Sequence, residues 1–307
     1  MKEITIVCPI FNEEENIEFF IKNFNTIFKD HPDYNFSILF ADNNSTDSSR
    51  EILKKICAER KDIKYIRYAK NNGVMKSLFN AIKHVDTDAC AVFDCDLQDD
   101  PKLLNEFIKN WELEIKIIYG KRVKRKEIFV LGFFRNIFKK LSNYLRGYEI
   151  EIESGAWFLD KEVIQQIRHD EYEPFLPLLI NNLDFESKGI EYERIERKRG
   201  LSKFNFFNYL SYAAEGLVSG TIKPLRVSVY FSFLFGCISF FSAIYFLIAK
   251  FFLNIVFAEG VAAIIIINLI SFSLIFLFLG ILGEYIGKIY LKEDNRKIPK
   301  ISEKINI

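Results

Sequence analysis

The 307-residue sequence predicts an α/β domain with a mostly parallel sheet, followed by interfacial helices and a two-helix transmembrane hairpin. Three observations predict it. Short apolar runs alternate with helical patterns over the first 120 residues, the signature of strands joined by crossover helices. Polar clusters fall where those strands end. Two uncharged runs, 227–249 and 260–283, hold 23 and 24 residues, and ~20 apolar residues suffice to cross a hydrocarbon core.

The elements follow in order. Residues 4–8 read as a strand ended by Pro9, and Asn12 as the N-cap of a helix with Glu13, Glu14 and Glu15 in its first turn, where acids suit the helix dipole. Residues 36–41 read as a second strand and 63–68 as a third. The helix between them ends near Glu59, with Ser45 closer to its start than Asp42. A helix over 74–85 leads to a fourth strand, 89–93, which ends in Asp94-Cys95-Asp96. A helix over 101–111 leads to a fifth strand, 115–119. In parallel sheets of this kind ligands sit at the carboxyl ends of the strands.

Composition narrows the function. Lys and Arg number 42 and Asp and Glu 41, a net charge of +1, which argues against a nucleic-acid partner. Charged residues at 27% are too many for a polytopic transporter and too evenly signed for a disordered tail. The 32 phenylalanines are hard for a soluble protein to hide. Five scattered cysteines without a C-x-x-C pair predict reduced thiols rather than disulfides or zinc. Met1-Lys2-Glu3 leads straight into a strand, without a signal-peptide pattern. Lys223 and Arg226 precede the first uncharged run, and Lys288, Lys292, Arg296 and Lys297 follow the second. By the positive-inside rule both flanks are cytoplasmic and the short loop is outside. The expected organisation is a cytoplasmic domain over 1–203, an interfacial helix over 204–226, spans over 227–249 and 260–283, and a cytoplasmic tail over 284–307.

Three constellations carry chemistry. Asp94-x-Asp96 directly follows an apolar strand, and two hard oxygen ligands there suit Mg²⁺ or Mn²⁺ bridging to phosphates; a solvated acidic turn with Asp99 and Asp100 is the other reading. Asp42 either caps the next helix or, if Ser45 caps it, is free to accept a hydrogen bond from a base N–H. Between Lys116 and Arg146 stand ten basic residues and one acid, Glu127. Within that stretch Phe134, Ile137, Phe138, Leu141 and Leu145 share one helical face, and Arg135, Lys139, Ser142 and Arg146 another. Such a helix, here over 128–147, suits a membrane surface. A second aromatic stretch, 204–217, leads into the first span and would be costly in water.

The segments Val7-Cys8-Pro9-Ile10-Phe11-Asn12-Glu13-Glu14, Phe40-Ala41-Asp42-Asn43-Asn44-Ser45-Thr46-Asp47 and Asp94-Cys95-Asp96-Leu97-Gln98-Asp99 resemble the family 2 glycosyltransferases. Tyr119-Gly120-Lys121-Arg122, Arg199-Gly200-Leu201-Ser202-Lys203-Phe204, Pro224-Leu225-Arg226 and Leu282-Gly283-Glu284-Tyr285-Ile286-Gly287-Lys288-Ile289-Tyr290 extend the resemblance to the polyprenyl-phosphate glycosyltransferases, including bacterial undecaprenyl-phosphate glucosyltransferases and dolichyl-phosphate mannose synthases. The resemblance implies a GT-A fold and an inverting transfer of one sugar from a nucleotide diphosphate sugar, UDP-glucose favoured, to a polyprenyl phosphate. It implies a Mg²⁺ or Mn²⁺ cofactor, a homo-oligomer (a tetramer), and a place in the bacterial inner membrane. By position it assigns Pro9, Phe11, Glu13 and Asp42 to base and ribose, and Asp94, Asp96 and Gln98 to metal and diphosphate. Arg122, Arg135 and Lys139 fall to the donor and acceptor phosphates, and Arg199, Ser202 and Lys203 to a loop closing on the donor.

Three positions depart from the family pattern. Asn43-Asn44 stands where Asp-Gly is usual, Val74 where a lysine is usual, and Ala156 where an acid is usual. A phosphate acceptor tolerates the last change. Its second pKa is about 6, so it is already a dianion and needs positioning, not deprotonation. A non-catalytic membrane adaptor and transfer to a growing polysaccharide are the alternative readings, although a polysaccharide synthase's Gln-x-x-Arg-Trp motif is missing around Trp111 and Trp157.

Overall fold

The computed structural model describes residues 1–122, 155–169, 176–195, 261–293 and 299–307. The basic segment with Arg135 and Lys139, the loop with Arg199, Ser202 and Lys203, the interfacial helix and the first span lie outside the described residues.

The strands are β1 (Lys2–Ile10), β2 (Tyr34–Asp42), β3 (Ile63–Tyr68), β4 (Ala89–Val92), β5 (Ile117–Arg122), β6 (Trp157–Asp160), β7 (Ser187–Tyr192) and β8 (Ile301–Ile305). Between them stand α1 (Ile17–Phe28), α2 (Ser49–Glu59), α3 (Val74–Lys83), α4 (Leu103–Trp111), α5 (Lys161–His169) and α6 (Leu176–Asn182). The strands form one sheet in the order β7-β5-β6-β4-β1-β2-β3-β8. Strand β1 pairs in parallel with both β2 and β4, and β2 with β3. The order therefore reverses between β1 and β4, which places the switch point of the sheet there. Only β6 and β8 run against the rest, so the sheet is mostly parallel, as the alternating pattern predicts.

The pleat sends alternate residues of β1 to opposite faces, and both faces are buried. Ile4, Ile6, Cys8 and Ile10 join a core with α1, α2 and α4, while Val7 joins a second core with α3, α5 and α6. Every fully buried side chain of this size contributes ~1.5–3 kcal/mol relative to exposure. Part of the phenylalanine excess is used in the first core. Phe20, Phe24, Phe93, Phe107 and Phe158 form a continuous chain of rings with centroids 4.5–6.3 Å apart. Among the described residues, Cys8, Cys57, Cys90 and Cys95 are buried free thiols.

Two local expectations are corrected. Helix α1 begins at Ile17 after Asn16, not at Asn12. Asn12 adopts φ +54°, and its side chain accepts the Thr46 N–H at 2.7 Å instead. Helix α2 begins at Ser49 after Ser48, so Ser45 does not cap it. In both places polar side chains of the adjacent β1–α1 and β2–α2 loops accept backbone N–H groups of the other loop, as Ser45 does from Asn12 and Glu14 from Ser48, and the helices start a turn later.

Strand β8 was not legible in the tail. It runs antiparallel to β3 at the sheet edge, where Glu303 pairs with Arg50 at 3.0 Å and Lys54 at 2.8 Å. Asn306 donates through Nδ2 to the carbonyls of Cys57, Arg60 and Ile63 at 2.8–3.1 Å. Asn306→Ala is expected to strand those carbonyls at a cost of about 1–3 kcal/mol. A thermal melt of the full chain should fall by ~2–8 °C; an unchanged melt would show that the strand is held without it.

The second unit contains α7 (Val261–Glu293), 33 residues long and uncharged from Val261 to Gly283. On its described residues alone, no helix is long and apolar enough to cross a membrane.

Candidate active site

Strands β1, β2 and β4 end side by side, and their loops carry the predicted residues. Asp42, the last residue of β2, is fully buried. Its Oδ1 accepts the Ser45 N–H at 2.7 Å and its Oδ2 accepts the Tyr65 hydroxyl at 2.7 Å. Arg67 Nε lies 3.3 Å from the same Oδ2. The carboxylate is enclosed and fixes the β2–α2 loop from within. Burial and the Asp42 hydrogen bond push the Tyr65 phenol well up, which keeps it a donor. Pro9 and Phe11 are half-buried at the end of β1. Glu13 Oε2 accepts the Asn16 amide at 2.6 Å, and its own N–H donates to Ser49 Oγ at 3.1 Å.

The Asn43-Asn44 departure has a physical account. Asn44 adopts φ +66°, a left-handed conformation for which Gly is the default and Asn the best substitute. Asn43 is buried. It donates to Asn71 Oδ1 at 2.7 Å and accepts from the Asn72 N–H and the Ser77 hydroxyl at 2.9 Å. An Asp could not make the first of these bonds. The pair therefore ties the β2–α2 loop to the β3–α3 loop.

After β4 the chain turns sharply through Leu97, at φ +52°. A bulky residue there stores ~1–3 kcal/mol, held in place by the buried position of its side chain. The turn brings three carboxylates together. Asp94 and Asp96 are half-buried, and Asp99 is 1% exposed. Asp96 Oδ1 accepts the Gln98 N–H at 3.2 Å. Gln98 Nε2 is directed at the Ile195 carbonyl at 3.5 Å, and the Gln98 carbonyl accepts the Ile195 N–H at 2.9 Å. Asp99 receives the Tyr192 hydroxyl at 2.5 Å. Among the described residues two guanidiniums face these acids. Arg122 Nε donates to Tyr192 Oη at 2.9 Å, with Nη2 3.5 Å from Asp99. Arg194 Nε lies 3.4 Å from Asp99 and Nη2 3.8 Å from Asp94. Gly155 closes the group: its φ is +153°, and an added Cβ would stand 3.2 Å from Arg122 Nη2.

The Asp94 carboxyl is pushed up to about 7, by desolvation first and then by Asp99 and Asp96, against Arg194 and Arg122. With 41% of its side chain open, the neighbouring carboxylates are the durable part of that push. Crowded carboxylates offer hard oxygen ligands, so the donor set fits Mg²⁺ or Mn²⁺. Among the described residues no three His, Cys, Asp or Glu side chains form a metal cage. A cation here would complete its shell with water and phosphate, the usual habit of Mg²⁺.

The structure thus gathers Asp94, Asp96, Gln98 and Arg122 in one cluster and Pro9, Phe11, Glu13 and Asp42 at the neighbouring strand ends. Asp99, Tyr192, Arg194 and Gly155 escaped sequence reasoning as site residues. Asp99 reads as solvated, and Tyr192 and Arg194 lie more than 90 residues from the turn they meet. The alternation of Ile190 and Tyr192 in a strand is the one local signal.

Residues 5–168, just over half of the chain, match the family model described as glycosyl transferase family 2. An uncharacterised glycosyltransferase of Bacillus subtilis (strain 168) is 28% identical over 299 residues, covering 96% of this chain and 92% of the relative. The SfII prophage-derived bactoprenol glucosyl transferase of Shigella flexneri is 28% identical over 307 residues, covering 96% of each. Among solved structures, a mannosyltransferase from Pyrobaculum calidifontis in complex with GDP-Man and Mn²⁺ has a TM-score of 0.48 and 17% identity, covering 73% of this chain and 64% of that one. The α/β sheet with its acidic turn at the switch point and the matched family model lead to one conclusion: the chain belongs to glycosyl transferase family 2 and is a glycosyltransferase with the family's GT-A fold.

Proposed function

We propose that this enzyme moves one sugar, with inversion, from a nucleotide diphosphate sugar, UDP-glucose favoured, to a polyprenyl phosphate such as undecaprenyl phosphate at the cytoplasmic membrane face. The observation that carries the reading is the Asp94/Asp96 turn at the end of β4 with Arg122 beside it. End-to-end likeness to bactoprenol glucosyl transferases favours the lipid acceptor. A divalent cation held by Asp94 and Asp96 would offset charge on the departing nucleoside diphosphate.

The chain's own residues supply the rest. Arg122, pinned by Tyr192 and Asp99, presents a fixed cation without reorganisation when charge develops. Ala156, fully buried before β6, supplies no base, and an acceptor that is already a dianion needs none. Arg135, Lys139, Arg199, Ser202 and Lys203 are part of the proposal, as phosphate-binding groups brought in by the basic segment and the closing loop.

The membrane hairpin and the inner-membrane location belong to the same proposal, as does the homo-oligomer. Strand β8 supports the hairpin. It belongs to the sheet of the catalytic unit, an arrangement that suits a chain crossing the membrane and returning to the same side between residues 203 and 300. Asn254→Cys in intact cells should react with an impermeant thiol reagent and Lys300→Cys should not. The reverse pattern would overturn the topology and separate the site from cytoplasmic nucleotide sugars.

The function itself is tested by supplying the purified full chain with undecaprenyl phosphate and single UDP-sugars, with Mg²⁺ or Mn²⁺, and measuring UDP. Lipid-dependent UDP release is the expected result. Release that ignores the lipid, or none with any UDP-sugar or GDP-sugar, would sink the reading. A non-catalytic adaptor would also fail to bind nucleotide in a metal-dependent way.

A further inference from the structure

Arg122 and Arg194 face the same acids but are held differently. Arg122 is 10% exposed and makes a well-formed 2.9 Å bond to the Tyr192 hydroxyl. Arg194 is 31% exposed and touches Asp94 and Asp99 only at 3.8 and 3.4 Å. Its buried Nε finds no hydrogen-bond geometry there. The backbone beneath it is fixed, because the next residue, Ile195, donates its N–H to the Gln98 carbonyl at 2.9 Å. Arg194 is thus a loosely engaged guanidinium on an anchored stem. It stands against the acid that would ligate a cation, at the root of the chain leading to Arg199, Ser202 and Lys203.

A guanidinium within 4 Å of Asp94 and a divalent cation on the same carboxylate repel each other strongly, since little water separates them. They compete for the acid. A diphosphate brought in with the cation offers the displaced guanidinium a better partner, because arginine binds phosphate oxygens in a bidentate fork.

We propose that Arg194 is a counter-ion that exchanges: it neutralises Asp94 and Asp99 until a divalent cation takes Asp94, and then transfers to the diphosphate of the donor. Binding of cation and nucleotide is thereby coupled, and the Asp94 turn is coupled to the chain segment that follows β7. Arg194 is a substrate-binding residue in this scheme. The inference rests on the metal-dependent reading of the same turn.

The test is binding, not turnover. Arg194→Met in the full chain removes the charge and keeps the bulk. Titrated with Mn²⁺ alone, followed by the electron paramagnetic resonance of free Mn²⁺, the variant should bind the cation roughly tenfold more tightly than the unaltered chain, since a competing charge is gone. Titrated with UDP at saturating Mn²⁺, it should bind roughly tenfold more weakly, as a charge-assisted bond is lost. Arg194→Lys should lie between on both measures. Equal or weaker Mn²⁺ binding by Arg194→Met overturns the competition, and unchanged UDP binding overturns the transfer. Failure of the underlying reading looks different: the unaltered chain would then bind Mn²⁺ no better than Asp96→Ala, with or without UDP.

Discussion

Asp96→Ala is expected to reduce sugar transfer about a thousandfold while the protein stays folded. A cation neutralising a diphosphate is worth several kcal/mol of transition-state stabilisation, and about 4 kcal/mol corresponds to a roughly thousandfold rate loss. The Asp96 carboxylate accepts the Gln98 N–H at 3.2 Å, a bond of a kind worth ~0.5–1.5 kcal/mol. Asp96→Asn separates the two roles, because the amide oxygen can still accept that N–H but carries no charge. Both variants should lose turnover, and EDTA should silence the unaltered enzyme to a similar degree. If Asp96→Asn or the chelated enzyme turns over at full rate, the acid serves the turn and not a cation.

Arg122→Met is expected to cost both activity and stability. Arg122 is held from several sides. Tyr192 orients it, Asp99 pairs with it, and Gly155 gives it room where an added Cβ would come within 3.2 Å. Gly120 does the same for its partner, since an added Cβ there would stand 2.7 Å from the Tyr192 ring. Removing the guanidinium leaves Asp99 nearly enclosed with less charge opposite it, at about 3 kcal/mol when a buried pair is broken. Unfolding of the variant should reveal that loss. Below its melting point, transfer should still be down by roughly a hundredfold, the scale of losing one preorganised donor to developing charge. Arg122→Lys should recover part of the stability but little of the rate, because an ammonium cannot reproduce the fork. A stable Arg122→Met protein with normal turnover would remove Arg122 from the site.

Much of the fold was determined by the sequence itself. Apolar runs between helical patterns specified β1 to β5 and α1 to α4 to within a few residues, because strand and helix periods are local and both faces of the sheet must be covered. Asp94-x-Asp96 and Arg122 were legible for the same reason: they sit at the ends of strands whose positions local pattern sets. The tertiary structure decided what depends on partners distant in the chain. Asp42 reads equally as a cap or a free acceptor until Tyr65 and Arg67 close over it. Asn12 reads as a helix cap until Thr46 takes its side chain. Asn44 reads as a lost glycine until its φ shows that it does the glycine's work. Asp99 reads as one more solvated acid until Tyr192 and two arginines enclose it. Strand β8 is five residues of unremarkable tail that gain their meaning from the open edge of β3. Apart from Asn44, whose backbone φ decides, the deciding energy is a hydrogen bond or ion pair that only folding brings within 4 Å, and sequence spacing carries no record of such a meeting.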